Sequence, residues 1–141
     1  LDFDANLERV KESIRVAKSH GAAYRLGPEL ELSGYGCEDH FLETDTLTHC
    51  NESLAALLQS DLTDGILCDV GMPLLHRGVR YNCRVFLLDR RVLLVRPKMA
   101  MADDGNYRES RYFTVWNKAK GLEEYALPPE VAAACGQRSC P

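Results

Sequence analysis

The stretch LGPELELSGYG, residues 26–36, decides how the rest of the chain is interpreted. Pro28 has no backbone N–H and disfavours helical angles at Gly27, so a strand that enters this stretch must end there. Glu29 then lies at or just past the strand end, between apolar residues and a glycine-rich turn. A carboxylate in such a position is poorly solvated and could act as a general base. A surface glutamate in a loop is the alternative, and both interpretations stay open on these residues alone.

The segment RPK at residues 96–98 repeats this pattern of a strand, a proline and then an ionisable residue. We therefore expect Glu29 and Lys98 to meet at one edge of a sheet, at the ends of neighbouring strands. Such a pair suits acyl transfer, because the carboxylate can take a proton from a nucleophile while the ammonium stabilises the oxyanion. The alternative is a loop lysine without this role, and spacing alone does not exclude it.

The periodicity of the apolar residues predicts an α/β fold in which helices and a sheet form layers. Apolar side chains at helical spacing predict one helix that ends near Gly21 and a second over about residues 44–60. Runs rich in β-forming residues predict four strands, over residues 24–26, 66–72, 80–88 and 92–96. Pro73 is expected to end the second strand, and the last two strands are expected to form a hairpin.

Composition and charge exclude several classes of function. The chain has 141 residues, enough for one small domain and not for two. Its net charge is −4, without a basic cluster, which argues against a nucleic-acid partner. No run approaches the roughly 18 apolar residues of a membrane span. We therefore expect a cytoplasmic protein with neither nucleic-acid nor membrane partners.

The six cysteines do not form a metal-binding pattern. The first four are far apart, with no C-x-x-C pair, and the four histidines are scattered. A zinc site needs clustered thiolates or imidazoles, so no metal site is expected. Buried free thiols in a reducing cytosol account for these residues more simply.

Four segments together resemble a known family. They are GPELELSGYG at 27–36, RYNCRV at 80–85, RPKMA at 96–100 and GNYRE at 105–109. In this order they are similar to the nitrilase-like glutaminase domain, a carbon-nitrogen hydrolase domain, of the eukaryotic glutamine-dependent NAD synthetases. The similarity runs from residue 1 to about 128. It implies an α-β-β-α sandwich and a catalytic set of Glu, Lys and Cys.

The resemblance also assigns roles to individual residues. Glu29 matches the general base and Lys98 the oxyanion stabiliser. Glu109 matches a second acid that many members of the superfamily place near the lysine. Tyr35 and Tyr107 resemble residues of the glutamine pocket.

The chain departs from the family pattern in two ways. The nucleophilic Cys of the family lies on a strand-to-helix elbow well past the lysine, and no cysteine here has that setting, so we expect the nucleophile to be absent. Residues 1–128 are interpreted as a partial domain without its first strand, and residues 129–141 as a divergent, disordered tail. The chain alone is therefore expected to be an inactive fragment without a cofactor.

The parent protein implied by the resemblance hydrolyses glutamine and passes the ammonia to a ligase domain. That domain would use ATP and Mg²⁺ to amidate nicotinic acid adenine dinucleotide to NAD, and the parent is expected to be a homo-oligomer. One alternative is another amidase or carbamoylase of the nitrilase superfamily. The other is a non-catalytic truncated isoform that binds full-length subunits.

Overall fold

The computed structural model describes residues 1–117 and 121–141 and shows a four-stranded mixed sheet with helices on one face. The longer elements are helix α1 (Phe3–Ser19), strand β1 (Tyr24–Leu26), helix α2 (Thr44–Gln59), and strands β2 (Leu67–His76), β3 (Val79–Leu88) and β4 (Arg91–Pro97). Strand β5 (Tyr125–Ala126), helix α3 (Pro129–Cys135) and strand β6 (Ser139–Cys140) follow, and short 3₁₀ helices span Glu38–Leu42 and Glu109–Arg111.

The strands of the main sheet lie side by side in the order in which they occur along the chain. Strand β1 is parallel to β2, whereas β2, β3 and β4 are successively antiparallel. The α/β class and the order of helix, strand, helix and three strands are thus confirmed.

The helices cover the face of the sheet to which alternate residues of β3 point. Tyr81, Cys83, Val85 and Leu87, predicted to share a face, are all buried in one cluster with side chains of α1 and α2. The opposite face contains the intervening positions, including Asn82 of β3 and its partner across the strand pair, Pro73 of β2. This second face carries the polar groups described below.

Pro73 does not end β2, which continues to His76. The prediction was wrong because proline interrupts a strand only where its missing N–H is needed by a neighbour. Strand β1 pairs only with residues Leu67, Cys68 and Asp69, so β2 has a single partner strand when it reaches Pro73.

The expectation of a disordered tail is also wrong. Residues 129–135 form helix α3, whose Val131 is fully buried in the main core. Gly136 ends the helix in the left-handed conformation, at φ = 70°, and its N–H donates to the Ala132 carbonyl oxygen at 2.8 Å. The Gln137 side chain then bonds to both the N–H and the C=O of Val92 on β4. The apolar face of α3 is too short to predict from periodicity, but its packing against α2 and the sheet orders it.

Among the described residues, no helix has the length and apolar character required to cross a membrane.

Candidate active site

The turn after β1 crosses over β2 instead of remaining at the sheet edge. Gly71 of β2 makes this crossing possible, because a Cβ atom there would lie 2.6 Å from the Leu30 nitrogen and closer still to the Pro28 carbonyl oxygen. Leu30 itself has φ = 51°, an uncommon conformation for leucine. Its side chain is buried against Phe41 and Phe113, and this packing holds the turn in place. The crossing carries Glu29 from the outer strand towards β3 and β4.

Glu29 and Lys98 are in direct contact, as predicted. The Lys98 Nζ atom lies 3.2 Å from Glu29 Oε1 and 3.1 Å from Oε2. Their strands, β1 and β4, are not neighbours, however, but the two outer strands of the sheet. That detail of the prediction is wrong, because the crossing over Gly71, and not strand adjacency, brings the two residues together.

Glu109 completes a cluster of three charged side chains. Lys98 Nζ lies 3.0 Å from Glu109 Oε1 and 2.9 Å from Oε2. The Glu109 carboxylate also accepts hydrogen bonds from the Ala102 N–H at 2.8 Å and from the Tyr35 hydroxyl at 2.7 Å. Glu109 is buried, whereas Glu29 is the more exposed of the two carboxylates. The ammonium therefore bridges an accessible carboxylate and a buried one.

The environment stabilises the charged forms of Lys98 and Glu109. Burial acts to raise the pKa of the Glu109 carboxyl, but hydrogen bonds from Lys98, Ala102 and Tyr35 outweigh it and hold the pKa below its ordinary value. Burial acts to lower the pKa of the Lys98 ammonium, but hydrogen bonds to Glu109 and Glu29 raise it above its ordinary value. Burial and the hydrogen bond to Glu109 raise the pKa of the Tyr35 phenol. Lys98 is thus kept as a cation and Glu109 as an anion at neutral pH.

Asn82, for which the sequence predicted no role, contacts Glu29 as well. Its Nδ2 atom donates to Glu29 Oε1 at 3.2 Å, and its backbone carbonyl oxygen accepts from the Lys98 N–H at 2.8 Å. The signal in the sequence is a polar residue within the β-forming run of β3. Periodicity alone does not show that this position faces the end of the Glu29 turn, since strand register sets that placement.

Tyr35 and Tyr107 line an open cavity of about 620 Å³ next to Glu109. Their rings meet edge to face, with centroids 6.1 Å apart. The wall also includes Arg108 and Phe113. Aromatic surfaces beside charged groups can hold a small polar molecule with an aliphatic part.

A second set of ion pairs anchors the backbone on both sides of Glu29. Arg84 Nη1 donates to Asp69 Oδ1 and to the Gly27 carbonyl oxygen, both at 2.9 Å. Arg25 pairs with Glu31, which lies two residues beyond Glu29. Residues on both sides of Glu29 are thus tied to strand side chains, which limits its movement.

Burial raises the pKa of five cysteine thiols, those of Cys37, Cys50, Cys68, Cys83 and Cys140. All six are free thiols. Cys83 lines the cavity beside Glu29 and Lys98, but burial raises the pKa of its thiol. Burial also raises the pKa of Cys140 to about 11, and Cys135 donates its S–H to the Val131 carbonyl oxygen on α3. Thiolates are the reactive form of cysteine, and reactive cysteines have lowered pKa values.

Within residues 1–117 and 121–141, no group of three or more His, Cys, Asp or Glu side chains could hold a metal ion.

Comparison with known protein families gives a match along nearly the whole chain. A family profile described as carbon-nitrogen hydrolase matches residues 1–139. This match includes most of the segment that was expected to diverge after residue 128. The cluster of Glu29, Lys98 and Glu109 lies within the matched region.

The similar curated proteins are much longer than this chain. The glutamine-dependent NAD(+) synthetase of Homo sapiens is 56% identical over 141 residues, which are 100% of this chain and 20% of the human protein. The Dictyostelium discoideum protein of the same description is 59% identical, over 99% of this chain and 20% of its own length. The chain thus spans about a fifth of the relatives that it matches.

Two solved structures with a similar fold differ in their sequence identity to this chain. The glutamine-dependent NAD(+) synthetase of Cytophaga hutchinsonii superposes with a TM-score of 0.83 at 26% identity, covering 89% of this chain and 21% of the other. An amidase from Nesterenkonia sp. AN1 gives a TM-score of 0.68 at 18% identity, covering 84% of this chain and 46% of the amidase. The second similarity concerns the fold alone.

Proposed function

Because the chain belongs to the carbon-nitrogen hydrolase family, we propose that it forms part of the glutamine-hydrolysing region of a glutamine-dependent NAD(+) synthetase. The observation that carries this proposal is the contact of Lys98 with both Glu29 and Glu109 beside a cavity lined by tyrosines. The chain is 54–59% identical to curated glutamine-dependent synthetases, which supports glutamine as the substrate over the substrates of other amidases.

In the proposed reaction, each charged residue has a separate task. Glu29, the accessible carboxylate, takes the proton from the attacking nucleophile. Lys98 stabilises the negative charge that forms on the carboxamide oxygen. Glu109 remains ionised and orients Lys98, so it acts here as a carboxylate and not as a proton donor. Tyr35 and Tyr107 line the cavity in which the glutamine molecule binds.

We further propose that these 141 residues do not release ammonia from glutamine without additional chain. Covalent catalysis needs a reactive nucleophile close to the base, and the raised pKa of Cys83, which lines the cavity beside Glu29 and Lys98, supports this proposal. Removing the nucleophile from a catalytic unit typically costs a factor of about a million in rate. For the whole protein, we propose a further region that uses ATP and Mg²⁺ to consume the ammonia. We also propose that the whole protein is a homo-oligomer.

Ammonia release from glutamine tests the proposal at two lengths of chain. We expect no turnover by the 141 residues, and turnover by a longer natural protein that contains them. In the longer protein, Glu29→Gln and Lys98→Met should each abolish release, whereas Arg15→Met, on the exposed side of α1, should leave it unchanged. Turnover by the 141 residues that is lost in Cys135→Ala or Cys140→Ala would contradict the second proposal.

Substrate choice tests the alternatives. A longer protein that hydrolyses simple aliphatic amides or carbamoyl compounds but not glutamine would be another amidase or carbamoylase. A chain that binds longer copies of itself and changes their activity would instead be a non-catalytic isoform.

A further inference from the structure

Asn82 is placed to act on both members of the Glu29–Lys98 pair. It is 2% exposed and lies on the polar face of β3. Its side chain donates to Glu29 Oε1 at 3.2 Å, while its backbone carbonyl oxygen accepts from the Lys98 N–H at 2.8 Å. A carboxylate can only accept hydrogen bonds, which fixes the amide nitrogen of Asn82, and not its oxygen, towards Glu29. One buried residue thus connects the base to the strand end that carries the lysine.

The hydrogen bonds distinguish the two oxygen atoms of Glu29. Oε1 accepts from Asn82 and from Lys98, at 3.2 Å each. Among the described residues, Oε2 accepts only from Lys98, at 3.1 Å. A carboxylate oxygen accepts about two hydrogen bonds, so Oε2, which has one partner fewer than Oε1, has room for a further one.

We propose that Asn82 is a positioning residue that fixes the rotation of the Glu29 carboxylate and leaves Oε2 as the oxygen that accepts the proton. The inference rests on the proposed role of Glu29 as the base. Without Asn82 the carboxylate could rotate about its Cγ–Cδ bond, and either oxygen could take the position that Oε2 now holds. Proton transfer needs the acceptor in hydrogen-bond reach and aligned, so this rotation should slow the chemical step more than substrate binding.

A purely structural role for Asn82 makes different predictions. A buried amide needs a partner in any protein, so removing it would cost stability alone. Asn82→Leu removes the donor at similar volume, and Asn82→Asp keeps the shape while replacing the donor with a second carboxylate. Val85→Ala is the matched control, because it creates a cavity on the same strand without touching the pair.

Steady-state hydrolysis of glutamine by the longer natural protein is the first test. We expect Asn82→Leu to lower kcat about 10- to 100-fold, with KM changed less than threefold. We expect the acidic limb of the profile of kcat/KM against pH to move to higher pH, and to move further in Asn82→Asp, because a donated hydrogen bond favours the charged base and a like charge opposes it. An unchanged pH profile, or a loss no larger than that of Val85→Ala at equal thermal stability, would overturn the proposal.

A second measurement keeps the proposal separate from the proposed function. In the 141-residue chain, the side-chain amide ¹H and ¹⁵N resonances of Asn82 should shift on Glu29→Gln, and should not shift on Glu12→Gln, which changes an exposed residue of α1. Unshifted Asn82 resonances would overturn the positioning contact. If these resonances shift but the longer natural protein does not hydrolyse glutamine, the proposed function is contradicted and the contact remains intact.

Discussion

The Lys98 ammonium contacts two carboxylates, and within residues 1–117 and 121–141 neither carboxylate is paired with another cation. Breaking a buried ion pair by removing one partner is strongly destabilising, because the remaining charge loses its compensation. We expect Lys98→Met to lower the free energy of unfolding by about 2–4 kcal/mol at pH 7. Urea unfolding gives this value directly. Arg15→Met, which breaks an exposed pair with Glu12, should change it by less than about 0.5 kcal/mol.

The buried Glu109 carboxyl should make stability depend on pH. Because its pKa is held below the ordinary value in the folded chain, it stabilises the fold above the unfolded pKa of about 4.3, and this contribution disappears as the pH falls through the folded pKa. Between pH 6 and pH 3, the chain should therefore lose more stability than Glu109→Gln does. Thermal melting across this range measures the difference. Glu12→Gln, which changes an exposed carboxylate, is the control. Equal losses of stability in the unchanged chain and in Glu109→Gln would contradict the prediction.

At the scale of single elements, the crossing over β2 depends on one missing side chain. Gly71→Ala would place a Cβ against the backbone of Pro28 and Leu30, which has no freedom to move aside without displacing Glu29. We expect a loss of about 2–4 kcal/mol, measured by urea unfolding, since overpacking against backbone strains both partners. Gly36→Ala, where a Cβ would meet nothing within 4 Å, should be close to neutral. Similar losses in both variants would show that the close approach is not what requires glycine.

Helix α3 gives a second prediction at this scale. The amides of Ala132 and Gly136 donate within the helix to Pro128 and Ala132, both at 2.8 Å, beneath a buried Val131. Hydrogen exchange across residues 131–136 should therefore be slow, approaching the rates of β3. Val131→Ala should speed this exchange and destabilise the chain by about 1–3 kcal/mol. Fast exchange in the unchanged chain would contradict the packing of α3.

The elements also show which features can be predicted from sequence and which cannot. The Glu29–Lys98 contact was predictable because proline ends each strand locally and leaves an ionisable residue at each exit. The positions of Asn82 and Gly71 were not, since strand register and a crossing backbone place them, and both depend on residues far apart in sequence. The order of α3 was missed for the same reason, because its short apolar face is stabilised by contacts with α2 and the sheet rather than by its own periodicity.

For the whole molecule, the described structure leaves one edge of the main sheet unpaired. Strand β1 lies at this edge, and its Tyr24 and Leu26 side chains are 47% and 62% exposed. Exposed edge strands with apolar side chains promote pairing with other chains. We expect sedimentation velocity to show reversible self-association, which Leu26→Lys should weaken. Leu42→Lys, which alters an exposed leucine outside the sheet, should have no effect, and a strictly monomeric unchanged chain would contradict the prediction.

The bonds between Gln137 and Val92 have a consequence for the stoichiometry of such association. The Gln137 amide bonds to the N–H and C=O of Val92, and the Pro141 carbonyl oxygen accepts from the Val95 N–H. These backbone groups on the outer side of β4 are therefore not available to pair with a further strand. Two copies that join through β1 therefore use the open edge of each main sheet and leave the occupied β4 edges of the two main sheets facing outwards. Pairing through the main sheets is thus self-limiting: it ends at a symmetric dimer and does not extend into a filament.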